Sequence, residues 1–139
     1  MERKKRNYLL AAGVLIVLII GGNYSYRADK SVRENGIYSI ATITSIKIAR
    51  NGWKVIVVYP YMDILNTGEG LNDIKDFDMN DLGKRYFIKF QKEHPNGNHV
   101  LIPTVKVPDS IQSAPLLGWS EAWMNVHFPE VVEYVHDTR

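Results

Sequence analysis

Fifteen consecutive residues without a charge, Tyr8 to Gly22 (YLLAAGVLIVLIIGG), follow four cations in a row, Arg3-Lys4-Lys5-Arg6. No other feature constrains this chain as much. A helix apolar on every side is not the surface helix of a globular protein. Fifteen helical residues rise about 22 Å, short of the roughly 30 Å hydrocarbon core of a bilayer. Continuing through Asn23 to Tyr26 closes most of that gap. It also sets Tyr8 at one interface and Tyr24 and Tyr26 at the other, where rings with polar tips are favoured. The basic block orients such a helix with its N-terminus in the cytoplasm. A cleaved signal peptide has the same charge block and a similar apolar length. The residues after the run, Gly21-Gly22-Asn23-Tyr24-Ser25-Tyr26, offer no Ala-x-Ala cleavage pattern. An uncleaved anchor is therefore the leading expectation and a signal peptide the alternative.

The division that follows is a cytoplasmic basic N-terminus (1–7), a transmembrane helix acting as signal anchor (8–26), a polar linker or helical stalk (27–35) and a β-rich extracytoplasmic domain (36–139). Charge supports the division. Residues 1–30 hold six Lys/Arg against two Asp/Glu, and the remainder eleven against thirteen, within a whole-chain net charge of +2. A nucleic-acid-binding domain would concentrate positive charge on its folded part. Here that part is slightly acidic, so no nucleic-acid partner is expected. The chain has no cysteine, which excludes disulfides, thiolate metal sites and a cysteine nucleophile.

Beyond the linker the sequence reads as strands. Ile37 to Ala49 and Trp53 to Met62 are rich in Ile, Val, Thr and Tyr, residues that suit a pleated surface. Asn51-Gly52 between them is a strong two-residue hairpin signal. That turn predicts Ile48 opposite Val55, Ile46 opposite Val57 and Thr44 opposite Tyr59, on a core-facing side. A second hairpin runs from Arg85 to Gln91, through Pro95-Asn96-Gly97-Asn98, and back over His99 to Val107. It places Tyr86, Ile88 and Phe90 on one face and Phe87, Lys89 and Gln91 on the other. Pro103 in the returning strand implies an edge position or a bulge. Asp63 to Leu82 is acidic and low in β-branched residues, and reads as an excursion holding a short helix. Pro115 to Met124 and Pro129 to His136 are candidate helical segments, the latter with proline at its first position. The expected fold is mainly β with an N-terminal transmembrane helix: a small antiparallel barrel or curled sheet plus a short C-terminal helix. Trp119 and Trp123 are expected to pack on it and close one end.

The second hairpin also carries a resemblance. Gly83 to Phe90 (GKRYFIKF), followed by Glu93-His94-Pro95, Asn98 and Leu101, is similar to a glycine–strand–(D/E)xP–(N/S)xxL stretch. That stretch occurs in the small membrane-anchored β-domains of unknown function called DUF3592-like. Ala41-Thr42-Ile43 through Val57-Val58-Tyr59 fits that family's first two strands, so the likeness covers about residues 37–102. It implies a β fold and membrane association and brings no catalytic residues.

Candidate chemistry is sparse. Asp76-x-Asp78-x-Asn80, after Asp73, resembles the opening of a calcium loop, but Asp81 stands where glycine is needed and Phe87 where the closing glutamate belongs. A solvated acidic loop is the reading retained. His94, His99, His127 and His136 lack the spacing of a zinc site. Glu93, Asp109 and Glu121 are not spaced so as to pair. The serines lie outside any nucleophile elbow, and Gly68-Glu69-Gly70 does not continue into a phosphate loop. Trp119, Trp123 and Met124 are candidate partner-binding residues, because tryptophan is enriched at interface hot spots. Burial in the core is the favoured alternative for them. No cofactor or metal is expected. The leading expectation is a non-enzymatic, single-pass accessory or protein-interaction domain of the cell envelope, with membrane lipid around its helix and an envelope protein as partner. The alternative is a small-ligand-binding module released from a signal peptide. A hydrolase using Asp109, Glu121 and a histidine stands third.

Overall fold

The computed structural model describes residues 2–50, 52–72 and 76–137. It divides into two units, Met1–Lys30 and Ser31–Arg139. A single helix, α1 (Glu2–Asn35), supplies the described residues of the first unit and opens the second. Within it Lys4–Asn23 is long and apolar enough to cross a membrane, and none of that stretch is buried by the rest of the chain. Leu9, Leu10 and Val14 to Ile20 are all more than half exposed. The side chains of Tyr24 and Tyr26, expected at the outer interface, lie outside the described residues.

The second unit is a curled five-stranded antiparallel sheet, a half-barrel, with short C-terminal helices. Its strands are β1 (Ile37–Ala49), β2 (Gly52–Tyr61), β3 (Ile64–Asn72), β4 (Arg85–Gln91) and β5 (His94–Lys106), in the spatial order β3-β2-β1-β4-β5. Three hairpins, β1–β2, β2–β3 and β4–β5, and the long central β1 account for that order, since each strand pairs with a chain neighbour except across β1–β4. The expected curled sheet and C-terminal helix are present. α2 (Glu121–His127) and α3 (Pro129–Asp137) follow β5, with Ser120 as the α2 N-cap, its hydroxyl accepting from the Trp123 amide at 3.2 Å.

The join between α1 and β1 is tight. The Gly36 amide donates to the Val32 carbonyl at 2.9 Å. A Cβ on Gly36 would stand 2.4 Å from that oxygen and 2.9 Å from the Phe90 carbonyl oxygen, both backbone atoms. Val32 is fully buried, so residues 31–35 belong to the folded domain as its first helical turn.

The first hairpin differs from expectation in register. Ala49 pairs with Gly52, Ile48 with Trp53 and Ile46 with Val55, two positions from the predicted alignment; Asn51 lies outside the described residues. A shift of two keeps every side chain on its predicted face, and Ile46, Val55, Val57 and Tyr59 are indeed buried. Ile48 is not: it sits at the hairpin tip, 83% exposed. A bulge between Ile43 and Ser45 then changes the phase of β1. Ile43 and Ile46, three apart, both face inward, while Thr44 is exposed rather than opposite Tyr59.

The excursion expected after Met62 is in its first half a strand. β3 pairs with β2 along its length, from Tyr61–Ile64 to Trp53–Asn72. The turn joining them uses positive φ at Met62 and Asp63, 53° and 62°, which is the geometry of a tight hairpin turn built without glycine. The short helix expected later in this stretch is a 3-10 turn, Met79–Asp81. In the second hairpin Gln91 pairs with His94 and Phe90 with His99. The reversal therefore falls at Lys92-Glu93, and Pro95 to Asn98 form an irregularity within β5. β5 is an edge strand, and its register slips between Ile102 and Lys106. Pro103 thus has both the edge position and the bulge it needs.

The sheet buries its inner face, and its outer face over β1, β4 and β5. Ala41, Ile43, Val57, Tyr86, Ile88 and Phe90 lie on the inner face, with Phe77 from the loop before β4 stacked edge-on against Tyr86, ring centroids 5.1 Å apart. On the outer face Tyr38, Ile40, Phe87 and Ile102 meet Trp119, Met124, Val131, Val132 and Val135. The tryptophan-bearing segment therefore packs on the sheet as expected but covers its outer face instead of closing an end. The reason is a backbone bridge: Tyr38 and Trp119 exchange amide–carbonyl bonds at 3.0 and 2.8 Å. It is made possible by Gly118, whose φ of +70° and lack of Cβ let the chain pass the Tyr38 carbonyl, 2.6 Å from where a Cβ would be.

Candidate functional site

The expected partner-binding residues are not alike in exposure. Met124 is fully buried and Trp119 is 8% exposed, so neither presents a surface. Trp123 is half-buried, its ring stacked between Trp119 (5.2 Å) and His127 (4.0 Å). Trp119 lies before α2 rather than within it. Its pairing with Trp123 therefore comes from the Tyr38 bridge and not from a shared helix face.

The most enclosed charged residue among those described is the lysine that the strand alternation places beside Phe87. Lys89 of β4 is fully buried. Its ammonium donates to Glu121 Oε2 at 2.5 Å and to the Arg33 carbonyl, and it stands 4.8 Å above the Tyr38 ring. Glu121 Oε1 accepts from or pairs with His136 Nε2 at 2.9 Å. The Arg33 guanidinium donates to the Val135 carbonyl, and the Gln91 amide to the Ser31 hydroxyl. One network thus fastens the end of α1, β4, α2 and α3 together. Burial pushes the Lys89 ammonium below the usual lysine range, with Glu121 pulling only partly the other way. Burial would raise Glu121, but hydrogen bonds from Lys89 and His136 outweigh it and hold the carboxyl below its ordinary value. The signal for this site was the alternation that placed Lys89 beside Phe87, on a face that turns out to be covered. Glu121 of the hydrolase expectation is held in this tie with Lys89 and His136, while Asp109 is exposed in the turn after β5.

The acidic loop has local uses. Asp78 Oδ1 accepts from the Asn80 amide at 2.8 Å and Asp81 Oδ2 from the Asp78 amide at 2.9 Å, a capping box. The other Asp81 oxygen accepts from the Tyr86 hydroxyl at 2.7 Å. Asp73 lies outside the described residues. Among the described residues no three His, Cys, Asp or Glu side chains gather where they could hold a metal ion. His99 is half-buried beside Tyr59, ring centroids 6.4 Å apart, and burial lowers its affinity for a proton.

A different feature gathers at the end of the sheet where the chain enters β1. Met62, Ile64 and Leu65 of the β2–β3 turn are 53%, 64% and 67% exposed, and Leu116 and Leu117 are 55% and 61% exposed. The Met62 amide donates to the Leu116 carbonyl at 2.9 Å, joining them into one apolar rim. Beside it a shallow cleft of about 280 Å³ is lined by residues 60–63 and 113–116. Sequence reasoning missed this rim because it took Ile64-Leu65 for part of a polar excursion.

The class of protein these observations define is an apolar-helix-bearing chain with a half-barrel domain. Comparisons with family models, curated proteins and solved structures each find no match to it.

Proposed function

We propose that this chain is a single-pass membrane protein of the cell envelope. Its β-domain is held outside the cytoplasm, has no catalytic role, and works by docking through the apolar rim. The observation that carries the reading is that rim: five large apolar side chains left in solvent at one end of a domain whose inner sheet face, and whose outer face over β1, β4 and β5, are filled. Contiguous exposed apolar surface marks contact sites more often than chance. The basic block ahead of the apolar helix supports the orientation, and kinship with the DUF3592-like domains is part of the same proposal. The cleft beside the rim favours a second reading, a small-ligand module freed from a signal peptide. Its walls are Pro60, Tyr61, Met62, Ala114, Pro115 and Leu116 with Asp63 and Ser113, a lining with few polar groups to orient a ligand.

A photo-crosslinking residue at Leu65 or Leu117 of the full chain, irradiated in native membranes, tests the docking reading. The expected result is a specific adduct, to protein or to lipid, that is absent when the crosslinker replaces Ile48 at the far hairpin tip. Equal, unspecific labelling at all three positions contradicts it.

A further inference from the structure

We infer that the occupant of the rim is the lipid surface of the membrane that the chain's own helix spans. This rests on the anchored reading above and names the partner of the same site. The topology supplies the argument. β1 begins at Ile37, directly after α1, and Ile37 pairs with Phe90 while the Ser39 hydroxyl donates to the Pro60 carbonyl at 3.3 Å. The start of β1, the β2–β3 turn and the β4–β5 turn therefore share one end of the sheet. The rim lies at that end, and the β1–β2 tip with Ile48 lies at the other.

Chain length sets how far this end can be from lipid. If the span ends near residue 26, residues 27–35 rise about 13 Å as helix. A headgroup layer is roughly 5–8 Å thick on each side of the hydrocarbon core. The sheet end thus cannot stand more than about one headgroup thickness clear of the bilayer surface. Apolar side chains at that height gain by entering the boundary between headgroups and acyl chains, where interfacial elements bury roughly 5–10 Å deep. A soluble partner would have to displace the domain from lipid to reach them.

Charge argues for apolar insertion instead of electrostatic attraction. Asp63 sits in the rim, and Lys92 and Glu93 in the neighbouring turn offset each other. Neutral phosphatidylcholine should therefore be sufficient.

The chain has no cysteine, so Leu65→Cys, Leu117→Cys and Ile48→Cys each give one site for an environment-sensitive fluorophore. The full chain is placed one copy per phosphatidylcholine nanodisc, with nitroxide-bearing lipids as quenchers. We expect blue-shifted emission at positions 65 and 117, quenched several-fold more strongly than at 48. Emission at 65 and 117 as red-shifted and as weakly quenched as at 48 overturns the lipid inference. The native-membrane crosslink then separates the remaining cases. A discrete protein adduct at Leu65 means that the rim docks a protein and the docking reading stands. No specific adduct means that both fail.

Discussion

The two faces of the half-barrel are built by different means. The inner face closes on side chains from the strands themselves, with only Phe77 supplied from a loop, and its buried polar members, Ser39 and Asn66, are uncharged. The outer face is covered by residues that follow the last strand, chiefly Trp119, Met124, Val131, Val132 and Val135, and it encloses a lysine. One face depends on local pairing and the other on the return of the C-terminal helices to Tyr38 and on the Lys89–Glu121–His136 tie. The inner face should thus govern whether the domain folds at all, and the outer face whether α2, α3 and the last turn of α1 stay attached to it.

The largest expected effects separate the faces most clearly. Phe90→Ala should cost about 3–5 kcal/mol and Met124→Ala about 2–5, the ranges for emptying such sites. Hydrogen exchange distinguishes them: Phe90→Ala should speed exchange throughout the sheet, whereas Met124→Ala should speed it in α2 and α3 first. Uniform acceleration in both would erase the distinction. Next, Glu121→Gln should destabilise by about 1–3 kcal/mol, a value reduced from that of a fully buried pair because the carboxylate is partly in solvent. Lys89→Met alone should likewise destabilise by about 1–3 kcal/mol, because it leaves the Glu121 carboxylate without its lysine, whereas Lys89→Met with Glu121→Leu should be neutral or stabilising, since apolar side chains then replace both charges. A double variant destabilised as strongly as the single ones would show that the tie holds the fold and is not merely tolerated.

The tie and the Asp81 capping box also set a pH dependence. The Glu121 and Asp81 carboxyls titrate below their ordinary values when folded. Their contribution is present above the unfolded carboxyl range and is lost as pH falls through the folded values. Lys89 is likewise lowered, so the unfolded state holds its proton to higher pH, and stability should rise as pH climbs between the folded and unfolded lysine values. Melting followed from neutral to acid pH should fall steeply in wild type and less in Glu121→Gln. The smallest effect is at the hairpin tip. Ile48→Asp should change stability by less than about 0.5 kcal/mol, as for an ordinary surface site, and a cost of several kcal/mol would return Ile48 to the inner face.

Much of the inner face was legible because strand periodicity is two. An error of two in the first hairpin's register left Ile46, Val55, Val57 and Tyr59 on the correct side. The Thr44 bulge was not legible, since nothing in Ile43-Thr44-Ser45 distinguishes it from regular strand. β3 was hidden for a related reason: its turn takes positive φ at Met62 and Asp63, positions without the Asn-Gly signature, and its Asn66, Gly68, Glu69 and Gly70 are poor strand formers. The rim went unseen with it. Lys89 was placed on the right face, but its burial was not legible, because the return of a distant segment to cover that face leaves no trace in the alternation of β4.

The central claim, a domain carried outside the cytoplasm by an uncleaved helix, has a direct test in the absence of native cysteines. Asp109→Cys places one thiol in an exposed turn of the domain. Intact cells are treated with a membrane-impermeant maleimide, and the membranes are then extracted with alkaline carbonate and the chain weighed by mass spectrometry. The account predicts a labelled chain of full mass that stays in the membrane pellet. An unlabelled chain in intact cells, or a labelled one released to the supernatant and shortened by the residues of the apolar run, would contradict it.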